Sequence, residues 1–361
     1  MDAPPPSTPS PAGRRRGAVR LADVARAAGV SVPLASRVLN ADASARATAE
    51  TKARILEAAD ALGYVPNIAA KSLRIRRNGL IGLVVHDLSS PIHLELMRGA
   101  RAEAAAHSHF LVLGDVDELL EDEQAFRTFI SGNRVDGLIV QGGHGGFDQR
   151  IADIARVLPT VIVNAPSRVE RERVTSVYPD EEAGTRLLTE HLLGLGHTRI
   201  GLVSGPHDST TGILRENGVT AALADAGLAL RAEDVVHTDW LASGGRAGLA
   251  ELAARWSAGG DRPTALIAGN SLIGIGILGT AGDHGLAIPD DLSVAAVHDT
   301  WISEHLVPPL TTVSLPLYAM GVVSVRQLLA ESTEGTEIMV ADPPPVLHVR
   351  ASTARPSRRS G

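Results

Sequence analysis

From Leu80 to Val297 the chain alternates short β-branched runs with longer amphipathic stretches, and this alternation constrains its fold more than any other feature. The runs Leu80–Val85, Phe110–Leu113, Gly137–Val140, Thr160–Val163, Ile200–Val203, Ala265–Ala268 and Val294–Val297 read as buried parallel strands. Between them, His93–His107, Glu118–Ser131, Glu181–Leu195, Ala242–Trp256 and Leu272–His284 read as crossover helices. That order predicts an α/β body of two doubly wound subdomains. In such sheets ligands bind beyond the carboxyl ends of the strands, so the loops that follow the strands are where function is expected.

Upstream of the body the pattern is purely helical. Met1–Gly13 carries Pro4, Pro5, Pro6, Pro9 and Pro11 among Ser and Thr, and has no core to bury. A disordered leader is expected there. Leu21, Val24, Ala25 and Ala28 then share one helix face and stop at Gly29. Ser31 is placed to cap a second helix, Val32–Leu39, in which Pro33 falls in the first turn, where no intrahelical N–H bond is lost. Thr48 caps a third, with Ile55, Ala59 and Leu62 on one face and Gly63 at its end. Three short helices with a glycine in the first turn predict a small all-α helix-turn-helix head.

Charge divides the chain at the same place. Residues 1–78 hold thirteen Lys and Arg against six Asp and Glu, whereas the remainder holds 21 basic and 35 acidic side chains. A basic head on an acidic body is suited to a polyanion, and nucleic acid is the leading candidate. The absence of Cys excludes disulfides, thiolate zinc sites and a Cys nucleophile. The longest apolar runs fall far short of the ~18–20 residues a membrane span needs. Arg20, Asp23 and Arg26 break up any signal sequence behind Arg14–Arg16. A cytoplasmic protein with no membrane partner is the expectation.

Ordered motifs in both parts then identify a family. Leu21-Ala-Asp-Val-Ala-Arg-Ala-Ala-Gly-Val-Ser31, Ser36-Arg-Val-Leu-Asn40 and Gly63-Tyr-Val-Pro-Asn67 resemble the DNA-binding head and hinge of the lac repressor (LacI/GalR) family. Leu195-Gly-His197, Ser204-Gly-Pro206, Asp239-Trp240, Pro308-Pro-Leu-Thr-Thr-Val313 and Val349-Arg-Ala-Ser-Thr353 continue the resemblance, which covers roughly residues 19–354. It implies a leader over 1–18, a head over 19–66, a hinge helix and linker over 67–78, a two-lobed effector-binding and dimerisation domain over 79–354, and a tail over 355–361.

The resemblance also implies roles. The second helix would enter the major groove, with Val32 and Pro33 against base edges, Arg37 on a guanine or a phosphate, and Ser31 and Ser36 on phosphates. Asn40, Tyr64 and Asn67 complete the implied DNA-binding set with two hinge residues. Ala70 would let paired hinge helices approach closely, and Leu73 would wedge into a central base step. The implied effector site comprises Asp87, Arg215, Trp240, Asn270, His298 and Asp299, with Arg215 on polar ligand groups and the Trp240 indole able to stack on a ring. The expected partners are double-stranded operator DNA, a small-molecule effector, commonly a sugar or related metabolite, and a second copy of the chain. No cofactor or metal is expected, and no catalysis. The tail lacks leucine heptads, so a homodimer is expected.

Four departures stand out. Arg20 replaces a Thr that would complete a capping box with Asp23, a loss of about 1 kcal/mol for the first helix. Leu34 replaces a common Thr, and Ser271 and His298 replace acidic residues.

Two rival readings are weaker. Gly274-Ile-Gly-Ile-Leu-Gly279 matches a dinucleotide fingerprint, but Asn270–Ile273 separate it from the preceding strand, which places the glycines inside a helix. The loop Gly142–Gly146 reads as a flexible cleft rim, and His107 and His109 as solvated histidines without carboxylate company. A solute-binding protein shares the expected body, but the basic head argues against it.

Overall fold

The head folds because each of its helices contributes small apolar residues to one centre. In the computed structural model, which describes residues 19–40, 42, 44–64, 78–116, 124, 134–142, 148–166, 174–257, 262–330 and 335–357, these helices are α1 (Leu21–Ala27), α2 (Val32–Leu39) and α3 (Ala49–Leu62). The leader, the hinge residues Asn67, Ala70 and Leu73, the helix expected over Glu118–Ser131 apart from Gln124, and Gly143–Gly146 lie outside the described residues. By Cα proximity the chain divides into Met1–Arg76 and Arg77–Gly361.

Val24, Ala25, Ala28, Ala35, Val38 and Ile55 fill the core of the head. Leu62 does not join them: it is 39% exposed in the last turn of α3, so the expected Ile55–Ala59–Leu62 face is buried only at its first two members. Thr48 caps α3, its Oγ1 accepting the Thr51 N–H at 3.2 Å, and Gly63 closes the helix at φ 62°. The Arg20 side chain has no acceptor atom to offer α1. Only the reciprocal half of a capping box forms there, the Arg20 N–H donating to Asp23 Oδ2 at 3.0 Å.

Ser31 occupies the N-cap position of α2 without capping it through its side chain. Pro33 removes one N–H that such a cap would use, and the Leu34 N–H is taken by the Ser31 carbonyl at 3.0 Å.

The body carries two six-stranded sheets. The first runs β11-β5-β4-β3-β1-β2, all parallel, from β1 (Leu80–Val85), β2 (Phe110–Asp115), β3 (Gly137–Gln141), β4 (Thr160–Val163), β5 (Thr175–Pro179) and β11 (Glu337–Val340). The second runs β12-β10-β9-β8-β6-β7, from β6 (Ile200–Ser204), β7 (Val235–His237), β8 (Ala265–Ala268), β9 (Ser293–Val297), β10 (Thr311–Ser314) and β12 (Val346–His348). Only β12 is antiparallel, against β10. Central strands such as β4, β8 and β9 are buried throughout, as their continuous apolar sequences require. Strand β2 departs from the expected burial, with Phe110 72% and Leu113 48% exposed, because it is the edge of its sheet.

Helices α4 (Leu94–Ala106) and α10 (Leu317–Leu329) belong to the first lobe, and α5 (Asp148–Ala155) follows β3 there. Helices α6 (Glu181–Leu195), α7 (Thr210–Asp225), α8 (Ala242–Ser257) and α9 (Ser271–Thr280) belong to the second. Gly274, Gly276 and Gly279 all lie within α9, so the dinucleotide fingerprint has no phosphate-binding turn. Gly276 instead lets α8 and α9 touch: a Cβ there would stand 2.1 Å from the Ala242 carbonyl oxygen. No described helix is long and apolar enough to cross a membrane.

Replacing Gly276 with Ala forces α8 and α9 apart. The expected loss is about 1–3 kcal/mol of stability, measured by chemical denaturation, and an unchanged midpoint would refute the contact.

Candidate functional site

On the head, Ala35 and Val38 hold α2 to the core, which leaves Ser31, Val32 and Pro33 on its exposed side. Val32 is 41% exposed, an apolar residue offered to solvent at the start of a helix. Arg37 Nε donates to the Pro33 carbonyl at 3.3 Å, which tethers the guanidinium to the first turn. Asn40 Nδ2 donates to the Ser36 carbonyl at 2.8 Å, and the Tyr64 N–H donates to the Ala59 carbonyl at 2.8 Å. Because Ser31 Oγ is not used in capping, it remains available to an external acceptor such as a phosphate.

In the body, a cavity of about 530 Å³ opens between the two lobes. It is built from the ends of eight strands: His86 and Asp87 follow β1, Gln141 ends β3, Asn164 follows β4, and Glu181 follows β5. From the second sheet come Pro206 after β6, Asp239 and Trp240 after β7, Asn270 after β8, and His298 after β9. Four described non-glycine residues have positive φ, and three of them, Asp87, Asn164 and His298, line this cavity. Backbone held in that unfavourable region is concentrated where strands give way to the cleft.

Arg215, on α7, organises the second-lobe side. It is 3% exposed, and its Nε and Nη2 meet Glu181 Oε2 and Oε1 at 2.8 and 3.0 Å. Nη1 donates to the Gly269 carbonyl, and Nη2 also donates to His298 Nε2 at 2.8 Å. The guanidinium carbon stands 5.2 Å from the centroid of the Trp240 ring, within cation–π range. Four of the five N–H donors of Arg215 are thus engaged inside the protein. Arg215 lines the cleft and at the same time ties these loops together.

The same bonds set the state of His298. A guanidinium can only donate, so Nε2 accepts and the proton of the neutral ring sits on Nδ1. Burial, and then the adjacent Arg215 charge and His93, hold the His298 pKa well below its ordinary value of 6.5. Nδ1 is buried with no partner among the described residues. His93, contributed by the first lobe, donates from Nε2 to the His86 carbonyl at 2.9 Å, and burial also lowers its pKa.

Two other expected residues are used differently. Asn270 lines the cavity, but its Oδ1 accepts the Ile273 N–H at 2.8 Å and its Nδ2 donates to the Trp240 carbonyl at 2.9 Å. It caps α9 and fixes Trp240. Asp299 does not line the cavity; its Oδ1 accepts from Thr312 Oγ1 at 2.6 Å and from Arg350 Nη1 at 2.8 Å. The chain turns at His298, whose φ is 67°, and Asp299 beyond the turn bonds Thr312 on β10 instead. Trp240 lies so close to Gly205 that a Cβ there would fall 2.1–2.4 Å from Cε2, Cζ2 and Cδ2, so the backbone already covers part of the ring proposed for stacking.

Glu181, His93, Asn164 and Thr211 were not anticipated. All but Thr211 sit on or just beyond a strand end or the short 3-10 turn after β1, the signal that would have found them. Thr211 Oγ1 donates to the Asn164 carbonyl at 3.2 Å and so bonds one lobe to the other. His107 and His109 do have carboxylate company, Glu103 at 3.2 Å and Asp136 at 3.5 Å, and the His109 side chain is only 11% exposed, so the solvated reading of His109 fails. No group of three or more His, Asp or Glu able to hold a metal occurs among the described residues.

Comparison with known proteins agrees with this architecture. Residues 20–67 match the family "Bacterial regulatory proteins, lacI family", and residues 189–353 match a periplasmic binding protein-like domain. An HTH-type transcriptional regulator in the aml 5' region of Streptomyces limosus is 33% identical over 98% of this chain and 99% of its own length. The HTH-type transcriptional repressor PurR of Photobacterium profundum is 30% identical, covering 85% of this chain and 90% of its own. Among solved structures, the lac repressor dimer bound to operator and the anti-inducer ONPF superposes with a TM-score of 0.76 at 27% identity, over 93% of this chain and 99% of that one.

The depressed histidine pKa values make stability pH-dependent in one direction. Below about pH 6.5 the unfolded chain binds a proton at His298 that the folded chain refuses, so stability falls on acidification by up to about 1.4 kcal/mol per pH unit for this group. His93, His191 and His197 add to the same trend. Denaturation at pH 7.5 and about pH 5.5 should show the loss, with a shallower slope for His298→Gln; an equal slope would remove His298 as a contributor.

Proposed function

The chain belongs to the lacI family of bacterial regulatory proteins, and we propose that it works as a dimeric repressor on a two-fold-symmetric operator, released or recruited by a ligand in the interlobe cleft. It is a DNA-binding transcriptional regulator with an effector-binding body. The observation that carries the proposal is the exposed side of α2, which presents Ser31, Val32, Pro33 and Arg37 from a helix whose opposite side is locked into the core. Val32 and Pro33 offer apolar contact to a thymine methyl, and Arg37 offers a bidentate donor to guanine or a charge to phosphate. The hinge at 67–78 is read as the transmission element, with Ala70 at the close approach of two hinge helices and Leu73 as the wedge.

The cleft suits a controlling ligand because its walls come from both lobes. A ligand touching His93 and Asn164 on one side and His298 and Trp240 on the other binds differently as the lobes move. Only such differential binding can shift an equilibrium, by a coupling of typically ~1–3 kcal/mol. The lac repressor structure, a dimer bound to operator and an anti-inducer, supports the same reading by likeness. Regulation, rather than catalysis, is the role the family supports.

Selection of random double-stranded DNA on the purified protein at ~0.15 M salt should return a short palindrome with a deformable central step. Arg37→Ala should relax specificity at one base position in each half-site by about 1–3 kcal/mol; an enriched pool with no motif would refute specific recognition.

Leu73→Ala should weaken operator binding more than non-specific binding, read as the ratio of the two affinities in a competition assay. An equal loss on both DNAs would rule out the wedge.

A further inference from the structure

The chain enters the body at Asn78 and Gly79, and one carboxylate receives it there. Asp136 Oδ1 accepts the Asn78 N–H and Oδ2 the Gly79 N–H, each at 2.6 Å. N–H donors on an ionised carboxylate make short, strong hydrogen bonds, and this side chain is only 10% exposed. His109 Nε2 stands 3.5 Å from the same Oδ2. Backbone bonds complete the clamp: the Phe110 N–H donates to the Gly79 carbonyl at 2.8 Å, and the Asp136 N–H to the Leu80 carbonyl at 2.7 Å. The linker expected over 67–78 ends at Asn78, so Asp136 holds its last residue together with the first residue of the body.

Two strands lead from this clamp to the cleft. Strand β1 starts at Leu80, next to Gly79, and runs to His86 and Asp87 at the cleft; β3 starts at Gly137, next to Asp136, and ends at Gln141. They pair in parallel from Ile81 with Gly137 to Val84 with Val140, and they are buried except at Leu80 and Gln141. Where they reach the cleft, Gln141 Oε1 accepts the His86 N–H at 3.0 Å. A five-residue strand spans about 17 Å at ~3.3 Å per residue. A strand pair packed on both faces moves as a unit, so a displacement at its cleft end arrives at the clamp.

We propose that Asp136 is the positioning residue that couples the cleft to the linker. Its carboxylate fixes Asn78 and Gly79 to the amino end of β3, so the strands that meet a ligand also set where the linker leaves the body. This inference rests on the regulatory reading of the chain and names the residue through which that regulation passes. Two consecutive N–H groups need two acceptor oxygens, which only a carboxylate supplies here. An amide at 136 offers one oxygen and turns a donor toward the other N–H, and alanine offers none.

The test measures the affinity of the purified full-length protein for its selected palindrome and for a random duplex at ~0.15 M salt. Asp136→Asn is expected to lower the ratio of specific to non-specific affinity by about fivefold or more, and Asp136→Ala further, up to about 150-fold, the ordinary span of coupling between sites. Asp234→Asn is the control, the same replacement at a buried carboxylate that holds Arg199 at 2.6 and 2.9 Å in the second lobe. It should lower the denaturation midpoint and leave the ratio within about twofold of wild type. A ratio that both Asp136 variants leave intact, or that Asp234→Asn lowers as much, would overturn the proposal. If Asp136→Ala does not fold, Asp136→Asn decides by the same reading. Wild-type protein that prefers no sequence would defeat the regulatory reading and this proposal with it, whereas a wild-type preference that survives in the Asp136 variants defeats the proposal alone.

Discussion

One guanidinium holds the working end of the second lobe together. Arg215 reaches the start of α6 through Glu181, the end of β8 through the Gly269 carbonyl, the end of β9 through His298, and the loop after β7 through Trp240. Burying an ion pair is costly in desolvation, and this one is tolerable because nearly every donor of the cation is met. Removing either partner would leave a lone buried charge, a loss of about 3–5 kcal/mol. The arrangement of the cleft therefore depends on an interaction that is internal to the protein.

Strand direction decides where this hub can act. With the first sheet wholly parallel and the second parallel except for β12, the strand ends that bear side chains for binding converge on one cleft, and the positive φ values of Asp87, Asn164 and His298 turn the chain there. The first lobe supplies His93 and Asn164, and the Thr211 to Asn164 hydrogen bond spans the gap. At the start of the body Asp136 accepts the N–H groups of Asn78 and Gly79, each at 2.6 Å, so the first residues of the body are pinned to the residue that precedes β3.

Periodicity made most of the fold legible. Thr160–Val163, Ala265–Ala268 and Glu181–Leu195 lie where the residue pattern puts them, because continuous apolar runs and amphipathic repeats report burial directly. Short or mixed segments escaped it: β5 is broken by Tyr178 and Pro179, and β7 has only three residues. Phe110–Leu113 was legible as a strand but not as an edge, since edge position depends on which strands pair across the sheet. Five of the six expected effector residues line the cleft, yet their chemistry differs from expectation: Asn270 is consumed by a cap, Arg215 by Glu181, and Asp299, the sixth, by Arg350.

The sequence by itself determined the classes of structure and the family: a basic helical head, an acidic α/β body, and motifs shared with lacI-type regulators. These follow from local quantities, namely charge, apolar spacing and capping residues, each readable within a few positions. Only the tertiary structure decided which cleft residues are free to meet a ligand. Glu181 and Arg215 lie 34 positions apart, and His298 a further 83 from Arg215, so their mutual neutralisation and the tautomer it imposes exist only once both chain segments are brought to the same strand ends and buried.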